Sequence, residues 1–154
     1  MKLIDSPITG QEIPQTDSAP HAALVHFYTA FNHRNFDQMK LNWLQSEQAS
    51  MSNPLGGIKR GWSEIKEVYK RIFSGPATVY VEFYDYSIHS TDTMFLAVGR
   101  ERGSLDINNE RIELAIRTTR IFTYAGNEWK QIHHHGSMDN PELLKRYQNA
   151  LLNK

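Results

Sequence analysis

The feature that most constrains this chain is a long run of alternating apolar and polar residues between positions 77 and 137. Three segments show it most clearly, with apolar positions at Val79, Val81 and Phe83, at Met94, Leu96 and Val98, and at Ile112, Leu114 and Ile116. Strand side chains point alternately to two faces, so this period of two predicts strands that each bury one face. Residues 106–109 and 125–127 have the composition of turns. Because strands joined by such short turns are antiparallel, the sequence predicts an antiparallel meander.

Helical periodicity surrounds this meander. Apolar residues recur every three or four positions in three segments before it, which include Phe27, Met39 and Ile65, and in one segment after it that starts at Asn140. This spacing predicts helices that each have one apolar face. Helices grouped around an antiparallel sheet form an α+β domain. The sequence therefore predicts three N-terminal helices and an extra C-terminal helix on a curved sheet, with a cavity between sheet and helices.

Proline and glycine mark the expected boundaries of the domain. Residues 1–16 contain Pro7, Gly10 and Pro14 and show little periodicity, which predicts an irregular N-terminal arm. The segment from Asp17 to Pro20 has the composition of a helix start. We therefore expect the domain proper over residues 17–139 and the C-terminal helix over residues 140–154.

Charge and composition exclude several classes of function. The 154 residues contain 17 Lys plus Arg and 17 Asp plus Glu, and a net charge of zero is atypical of nucleic-acid or polybasic membrane binders. The chain has no cysteine, which excludes a disulfide framework and thiolate chemistry. It has neither 18 consecutive apolar residues nor a secretory leader pattern, so we expect a cytoplasmic protein without nucleic-acid or membrane partners. Motifs for nucleotides, calcium or a serine nucleophile are absent, so neither cofactor nor metal is expected.

Two arginines interrupt the apolar faces of the predicted strands. Arg100 shares its face with Val98, and Arg120 shares its face with Ile116. A buried guanidinium needs a carboxylate, water or a ligand anion as its partner. Two interpretations follow: either both arginines hold an anionic or polar ligand at the mouth of the cavity, or they pair with a structural acid such as Glu82 or reach solvent at the sheet edge.

Three consecutive histidines, His133, His134 and His135, form the second unusual feature. On a strand, His133 and His135 share one face and His134 takes the other. A zinc site needs a third protein ligand, and no further histidine has suitable spacing. The triplet therefore indicates structural or interface histidines, or a role for one of them in a pocket.

Aromatic residues are abundant, with seven Phe, seven Tyr and three Trp. Tyr28, Trp43 and Tyr69 lie on the predicted helices, where aromatic rings are suited to lining a pocket. The same residues are equally suited to a packed core or to an interface.

The order of elements and the end of the last hairpin resemble the nuclear transport factor 2-like superfamily over about residues 20–137. Residues 119–122 (Thr-Arg-Ile-Phe), Trp129 and residues 133–137 (His-His-His-Gly-Ser) are similar to the ending of two groups in it. These groups are the SnoaL-like polyketide cyclases and the hub, or association, domain of the calcium/calmodulin-dependent kinases. The resemblance implies a cone-shaped, cystatin-like domain that forms a homodimer through the outer face of its sheet.

The hub domains carry arginines in a cavity that takes small carboxylates, and two of these arginines align with Arg100 and Arg120. The same alignment implies that Ile132 and His134 face the cavity. His133 and His135 then lie on the other side, toward a partner subunit.

A second similarity is to the ketosteroid isomerases, in residues 53–56 (Asn-Pro-Leu-Gly), Gly61 and residues 65–69. Those enzymes use an aspartate base before the proline, with a tyrosine and a protonated aspartic acid that stabilise the dienolate oxygen. Here Asn53 occupies the base position and cannot accept a proton at neutral pH, and only Tyr69 of that network is retained. The resemblance therefore implies the pocket and argues against this isomerisation.

Two functions are compatible with these observations. The first is a SnoaL-like pocket protein that binds a small, partly apolar molecule with a carboxylate, enolate or carbonyl oxygen. Its expected site residues are Arg100, Arg120, Asn53, Tyr28, Trp43, Tyr69, Ile132 and His134. Any catalysis would be cofactor-free proton transfer of the cyclase, isomerase or dehydratase type, with His134 as proton carrier. The second is a non-catalytic oligomerisation or ligand-sensing module like the hub domain.

Overall fold

The computed structural model describes residues 2–13 and 19–152, which form four helices and one six-stranded sheet. The helices are α1 (Pro20–Asn32), α2 (Phe36–Asn42), α3 (Trp62–Ser74) and α4 (Pro141–Leu152). The strands are β1 (Ser50–Ser52), β2 (Lys59–Arg60), β3 (Thr78–Ser90), β4 (Met94–Ile107), β5 (Glu110–Ala125) and β6 (Glu128–Ser137). The predicted α+β class, including the extra C-terminal helix, is confirmed. None of the described helices is long and apolar enough to span a membrane.

The four long strands form the predicted antiparallel meander. The order of the sheet is β2-β1-β6-β5-β4-β3, in which β3 to β6 are neighbours in sequence and in space. The short strand β1 lies beside β6 and runs parallel to it, with Met51 opposite His134. This parallel pairing was not predicted from the sequence. It brings the segment that contains Asn53 close to the last strand.

The inner face of the sheet carries the hydrophobic core. Phe95 on β4 lies opposite Phe122 on β5, and their rings stack with centroids 4.6 Å apart. From the helical layer, Phe27 of α1 contacts Tyr69 of α3 with centroids 6.4 Å apart. All four side chains are at most 3% exposed. Burial of such rings is a main source of stability, and it fixes the helices over the sheet.

Two irregularities bend the long strands. The pairing of β3 with β4 shifts between Tyr84 and Ser87, where Asp85 has a φ of 50°. The pairing of β6 with β5 skips Ile132. A bulge inserts one extra residue, bends its strand and changes which residues point inward beyond it. The alternation of inward and outward residues on one side of each bulge therefore does not predict which residues point inward on the other side.

The N-terminal arm lies along the edge of β3. The Ile8 N–H donates to the Phe83 carbonyl at 2.7 Å, and the Phe83 N–H donates back at 2.9 Å. Ile8 is 1% exposed, and a Cβ atom at Gly10 would lie 2.6 Å from the backbone nitrogen of Thr29. The arm therefore covers backbone groups that an edge strand leaves unpaired. The helix start expected at Asp17 lies outside the described residues.

Candidate functional site

The centre of the candidate site is Arg120, which projects from β5 into the interior and is 3% exposed. The strict alternation of β5 places it on the inner face of the sheet, where the sequence analysis expected it. Its guanidinium lies over the ring of Phe27, with 3.6 Å between Cζ and the ring centroid. Its Nη2 donates to Glu101 Oε2 at 2.9 Å. One carboxylate and one aromatic face therefore hold the buried cation.

Two further side chains complete what we call the buried polar cluster, which consists of Tyr28, Glu101, Arg120 and Gln131. The Tyr28 hydroxyl donates to Glu101 Oε2 at 2.5 Å and accepts from Arg120 Nε at 3.2 Å. Arg120 Nη1 donates to Gln131 Oε1 at 2.9 Å. All four side chains are at most 4% exposed. The cluster therefore connects α1 with three adjacent strands of the sheet.

A line of hydrogen bonds joins this cluster to the protein surface. Gln131 Nε2 donates to Asn42 Oδ1 at 3.0 Å, and Asn42 Nδ2 donates to the Ala23 carbonyl at 3.1 Å. Asn42 Nδ2 also lies 3.1 Å from His26 Nδ1, and His26 Nε2 lies 2.9 Å from Gln38 Oε1 at the surface. Because an amide has one donor end and one acceptor end, these bonds orient Gln131 so that its oxygen faces Arg120.

The ion pair determines the charge of the cluster. Burial acts to lower the pKa of Arg120, but the adjacent Tyr28 and Glu101 outweigh it and hold this pKa above its ordinary value. Burial raises the pKa of the Tyr28 hydroxyl well above its usual range. The cluster therefore holds one cation, one carboxylate and one neutral phenol. Such a buried pair is stable only while both charged partners are present.

A small cavity lies between the polar cluster and helices α3 and α4. The volume of the cavity is about 50 Å³, which is room for a few water molecules or a short organic molecule. Most of the wall is apolar and includes Phe27, Val68, Val79, Val81, Leu114 and Ile116. The polar side chains in the wall are Asn53, Tyr69, Glu101, Arg120, His134 and Tyr147. The cavity thus combines an apolar wall with a few polar groups that point into the same space, as ligand-binding sites do.

The ion pair keeps hydrogen-bonding capacity toward this cavity. Glu101 Oε2 accepts from Tyr28 and Arg120, while Glu101 Oε1 receives no hydrogen bond from the described residues. Arg120 has five N–H groups, and its three bonds within the cluster use one each on Nε, Nη1 and Nη2. Nη1 and Nη2 therefore each keep one N–H that is not used by Tyr28, Glu101 or Gln131, and the Tyr69 hydroxyl in the same wall is a neighbouring hydrogen-bond partner of the guanidinium. An acceptor and donors lie side by side in the wall.

His134 lies on the inner face of β6, opposite Arg120 on β5, and is 7% exposed. Burial and, second to it, the charge of Arg120 lower the pKa of His134 well below its ordinary value, so its imidazole is neutral near pH 7. Its Nδ1 is buried and has no hydrogen-bond partner. The Thr119 backbone is a hydrogen-bond neighbour of this ring, and the neutral imidazole in the cavity wall is suited to hydrogen bonding with a polar ligand.

The other two histidines of the triplet point to the outer face of the sheet. His133 Nδ1 lies 2.7 Å from Ser50 Oγ, and the rings of His133 and His135 lie 6.5 Å apart. Within residues 2–13 and 19–152, no three His, Cys, Asp or Glu side chains are grouped as a metal site would require.

The other predicted residues that lie inward differ in their access to the cavity. Asn53 and Tyr69 line it, and Asn53 Oδ1 also accepts from the Leu55 N–H at 3.0 Å, which fixes the turn. Tyr28 and Trp43 are fully buried but do not form its wall. Tyr28 holds the polar cluster, and Trp43 packs against Tyr69 with centroids 6.2 Å apart. These two residues therefore contact the residues that line the cavity but do not line it themselves.

The prediction that Arg100 faces the cavity is wrong. Its side chain is 54% exposed on the outer face, and its Nε donates to Asp85 Oδ2 at 3.0 Å. The sequence analysis placed Met94, Leu96 and Val98 on the buried face of β4. This choice of face was wrong because the residues between them, Phe95 and Ala97, are also apolar. Phe95 and Ala97 are the fully buried residues, and Val98 is 43% exposed.

The prediction that Ile132 faces the cavity is also wrong. Ile121 pairs with His133 and Phe122 pairs with Gln131, so Ile132 is the extra residue of the bulge in β6. Gln131 takes the inward position with 0% exposure, and Ile132 is only partly buried.

Sequence reasoning missed three residues of the site, Glu101, Gln131 and Tyr147. On the inner face of β4, Glu101 alternates with Gly99 and Gly103. An acid between two glycines on a strand is the sequence signal that could have identified it. Tyr147 lies on α4, and its place in a helical apolar pattern predicts only a packing residue. Its neighbour Glu101 adds to the rise in pKa that burial of the Tyr147 hydroxyl causes. The position of Gln131 depends on the bulge, which has no sequence signal.

Comparison with known protein families gives one match. The model of the family described as SnoaL-like domain matches residues 21–141. This span includes the whole buried polar cluster and every cavity residue except Tyr147. None of the curated proteins compared with the chain matches it.

Several solved structures share the fold. A nuclear transport factor 2-like superfamily protein from Salmonella enterica serovar Typhimurium is 17% identical, with a TM-score of 0.67 over 75% of this chain and 84% of that one. A ketosteroid isomerase-like protein from Erwinia carotovora atroseptica is 15% identical, with a TM-score of 0.66 over 79% and 94%. The calcium/calmodulin-dependent kinase II hub homology domain from Chlamydomonas reinhardtii is 14% identical, with a TM-score of 0.64 over 82% and 100%. At these identities the likeness shows the fold, and the expected family rests on the match to the SnoaL-like domain model over residues 21–141.

Replacement of Arg120 tests the buried ion pair. We expect Arg120→Met to lower the free energy of unfolding by about 3–5 kcal/mol, because it leaves Glu101 buried without a counter-charge. The matched control Arg100→Met removes an exposed pair and should cost at most about 1 kcal/mol. The double variant with Glu101→Gln should recover much of the loss. Equal effects of the two arginine substitutions in urea denaturation would contradict the assignment.

The depressed pKa of His134 predicts a dependence of stability on pH. As the pH falls below about 6.5, the unfolded chain takes up a proton at this residue and the folded chain does not, so stability decreases. Between pH 7.5 and 5.5 the wild type should lose about 1.4 kcal/mol more than His134→Gln. Denaturation curves at the two pH values measure this difference. Parallel losses in both proteins would show that His134 titrates normally.

Proposed function

The chain belongs to the SnoaL-like domain family, and we propose that it is a pocket protein that binds a small, partly apolar molecule through an oxygen atom held by Arg120. A fold of this kind hosts many unrelated activities, so the function depends on the residues of the site. The proposed location is the cytoplasm, which suits a chain without cysteine.

The observation that carries the proposal is the buried guanidinium at the wall of the cavity. Arg120 is fully occupied on the side of Tyr28 and Gln131 but keeps donors on Nη1 and Nη2. A carbonyl, enolate or carboxylate oxygen is the natural acceptor for such donors, and desolvation strengthens the interaction. The apolar wall of Val81, Leu114 and neighbouring residues provides contact for a hydrocarbon group.

Two further side chains support binding of a polar ligand. Asn53 and His134 both line the cavity, and the His134 imidazole is neutral. Together with Arg120 they line the space with hydrogen-bonding groups from the turn after β1, from β5 and from β6. We propose that they orient the ligand.

For catalysis, the same groups favour proton transfer. A neutral imidazole is suited to carrying a proton, and a guanidinium stabilises the negative oxygen that forms when a proton leaves the carbon next to a carbonyl. We therefore propose an isomerase, cyclase or dehydratase type of reaction if the bound molecule is turned over. The amide at position 53 argues against the aspartate-based mechanism of the ketosteroid isomerases.

A thermal-shift screen of short carbonyl compounds, enones and carboxylates tests ligand binding, since a ligand that binds the folded state raises its apparent stability. For any hit, we expect the Arg120→Met/Glu101→Gln double variant to bind at least tenfold more weakly in calorimetry. Arg100→Met, which changes an outward arginine of the same sheet, should bind like the wild type. Unchanged affinity in the double variant would contradict the role of Arg120.

A second observation favours self-association. The outer face of the sheet carries an outer apolar patch that consists of Met94, Leu96, Val98 and Ile121. Met94 and Val98 are 42% and 43% exposed, and Leu96 lies directly opposite Ile121. We propose that this patch forms a homodimer interface, which in a twofold dimer meets its own copy. A hub-like assembly module is the alternative function, and it would build a larger ring.

Sedimentation velocity at several concentrations tests the interface. We expect the wild type to sediment at twice the chain mass of 17.8 kDa. Val98→Glu should be monomeric because it places a charge in the interface. Leu41→Glu, which changes a residue of α2 that is 47% exposed, should remain dimeric. A wild type that is monomeric throughout would contradict the interface, and a larger ring would favour the hub-like function.

A further inference from the structure

The charge balance of the cavity narrows the class of ligand. Building on the proposed function, we propose that the cavity selects a neutral molecule that carries a hydrogen-bond acceptor beside a hydrogen-bond donor, such as a primary amide or an enol, in preference to a carboxylate anion.

The charges around the cavity disfavour an anionic ligand. Among the described residues that line the cavity, Arg120 is the cation and Glu101 is its counter-charge, 2.9 Å away. Tyr69 and Tyr147 remain neutral because burial raises their pKa values, and His134 is neutral because burial lowers its pKa. A ligand carboxylate would therefore bring an uncompensated negative charge into a buried site. Transfer of such a charge from water is strongly unfavourable.

The hydrogen-bonding atoms that the ion pair turns to the cavity include both an acceptor and donors. Glu101 Oε2 is occupied by Tyr28 and Arg120, at 2.5 Å and 2.9 Å, whereas Oε1 receives no hydrogen bond from the described residues. The N–H groups on Nη1 and Nη2 of Arg120 that are not used within the cluster belong to the same ion pair, and a ligand oxygen would share them with the neighbouring Tyr69 hydroxyl. The wall thus presents an acceptor next to a donor. A complementary ligand donates to Glu101 and accepts from Arg120, and a carboxylate anion has no proton to donate.

The size of the cavity limits the size of the ligand. About 50 Å³ of accessible space limits the polar end of the ligand to a small group, such as a single amide or enol. Leu114, Ile116 and Val79 form the adjacent wall, which is suited to a short alkyl group. Propionamide and propionate are matched probes, because they have the same shape and differ mainly in charge and in the N–H donor.

The experiment compares the affinities of these two probes by calorimetry or ligand-observed NMR at pH 7.5. We expect wild-type protein to bind propionamide at least tenfold more tightly than propionate. Glu101→Gln removes the counter-charge and leaves Arg120 available to an anion, so it should reverse the preference. Arg100→Gln alters an arginine that faces solvent and should keep the wild-type preference.

A second measurement uses the wild type alone and does not depend on whether Glu101→Gln folds. The affinity for total propionate should rise as the pH is lowered toward 5, because the undissociated acid is neutral and carries a donor, while the affinity for propionamide should change little. Propionate binding as tight as propionamide binding at pH 7.5 would overturn the inference. So would a protein that binds neither probe but binds other carbonyl compounds through Arg120. A protein that binds no small molecule at this site would instead refute the proposed function.

Discussion

A guanidinium and a carboxylate meet inside this protein, away from bulk water, and their contact dictates how the surrounding residues are arranged. Arg120 and Glu101 are 3% and 4% exposed and lie 2.9 Å apart. Burial of either charge alone would cost several kcal/mol, about the size of the net stability of a small domain. Tyr28 and Gln131 contribute to making the pair acceptable, because they bond Glu101 Oε2 and the Nε and Nη1 atoms of Arg120. The same arrangement leaves one carboxylate oxygen and two N–H groups directed at a small cavity.

The fold supplies each member of the cluster from a different element. The long meander places Glu101 and Arg120 on the inner faces of neighbouring strands, and α1 brings Tyr28 over them. The bulge in β6 turns Gln131 inward, and α4 adds Tyr147 to the cavity wall. A change in the register of one strand would therefore break the cluster. The site therefore depends on the correct packing of α1, α4 and three strands of the sheet.

Much of the architecture was predictable because it rests on periodicity. The strict alternation of β5 located Arg120 correctly, since Glu113, Arg117 and Thr119 stand between its inward positions. The phase of β4 was not predictable in this way, because Phe95 and its neighbours are apolar on both faces, and so Arg100 was assigned to the wrong side. Ile132 was misplaced because a bulge depends on how two strands pair, and neither strand encodes it alone. Glu101 was missed for the same reason as Arg100, since an incorrect phase puts the acid on the solvent side.

A crystal structure of the protein soaked with butyramide would test the central claim most directly. The account predicts the amide in the cavity, with its oxygen about 3 Å from an Arg120 nitrogen, its nitrogen about 3 Å from Glu101 Oε1, and the ion pair intact. An empty cavity beside an amide bound elsewhere would contradict it. An Arg120 side chain turned away from Glu101 toward solvent would contradict it equally.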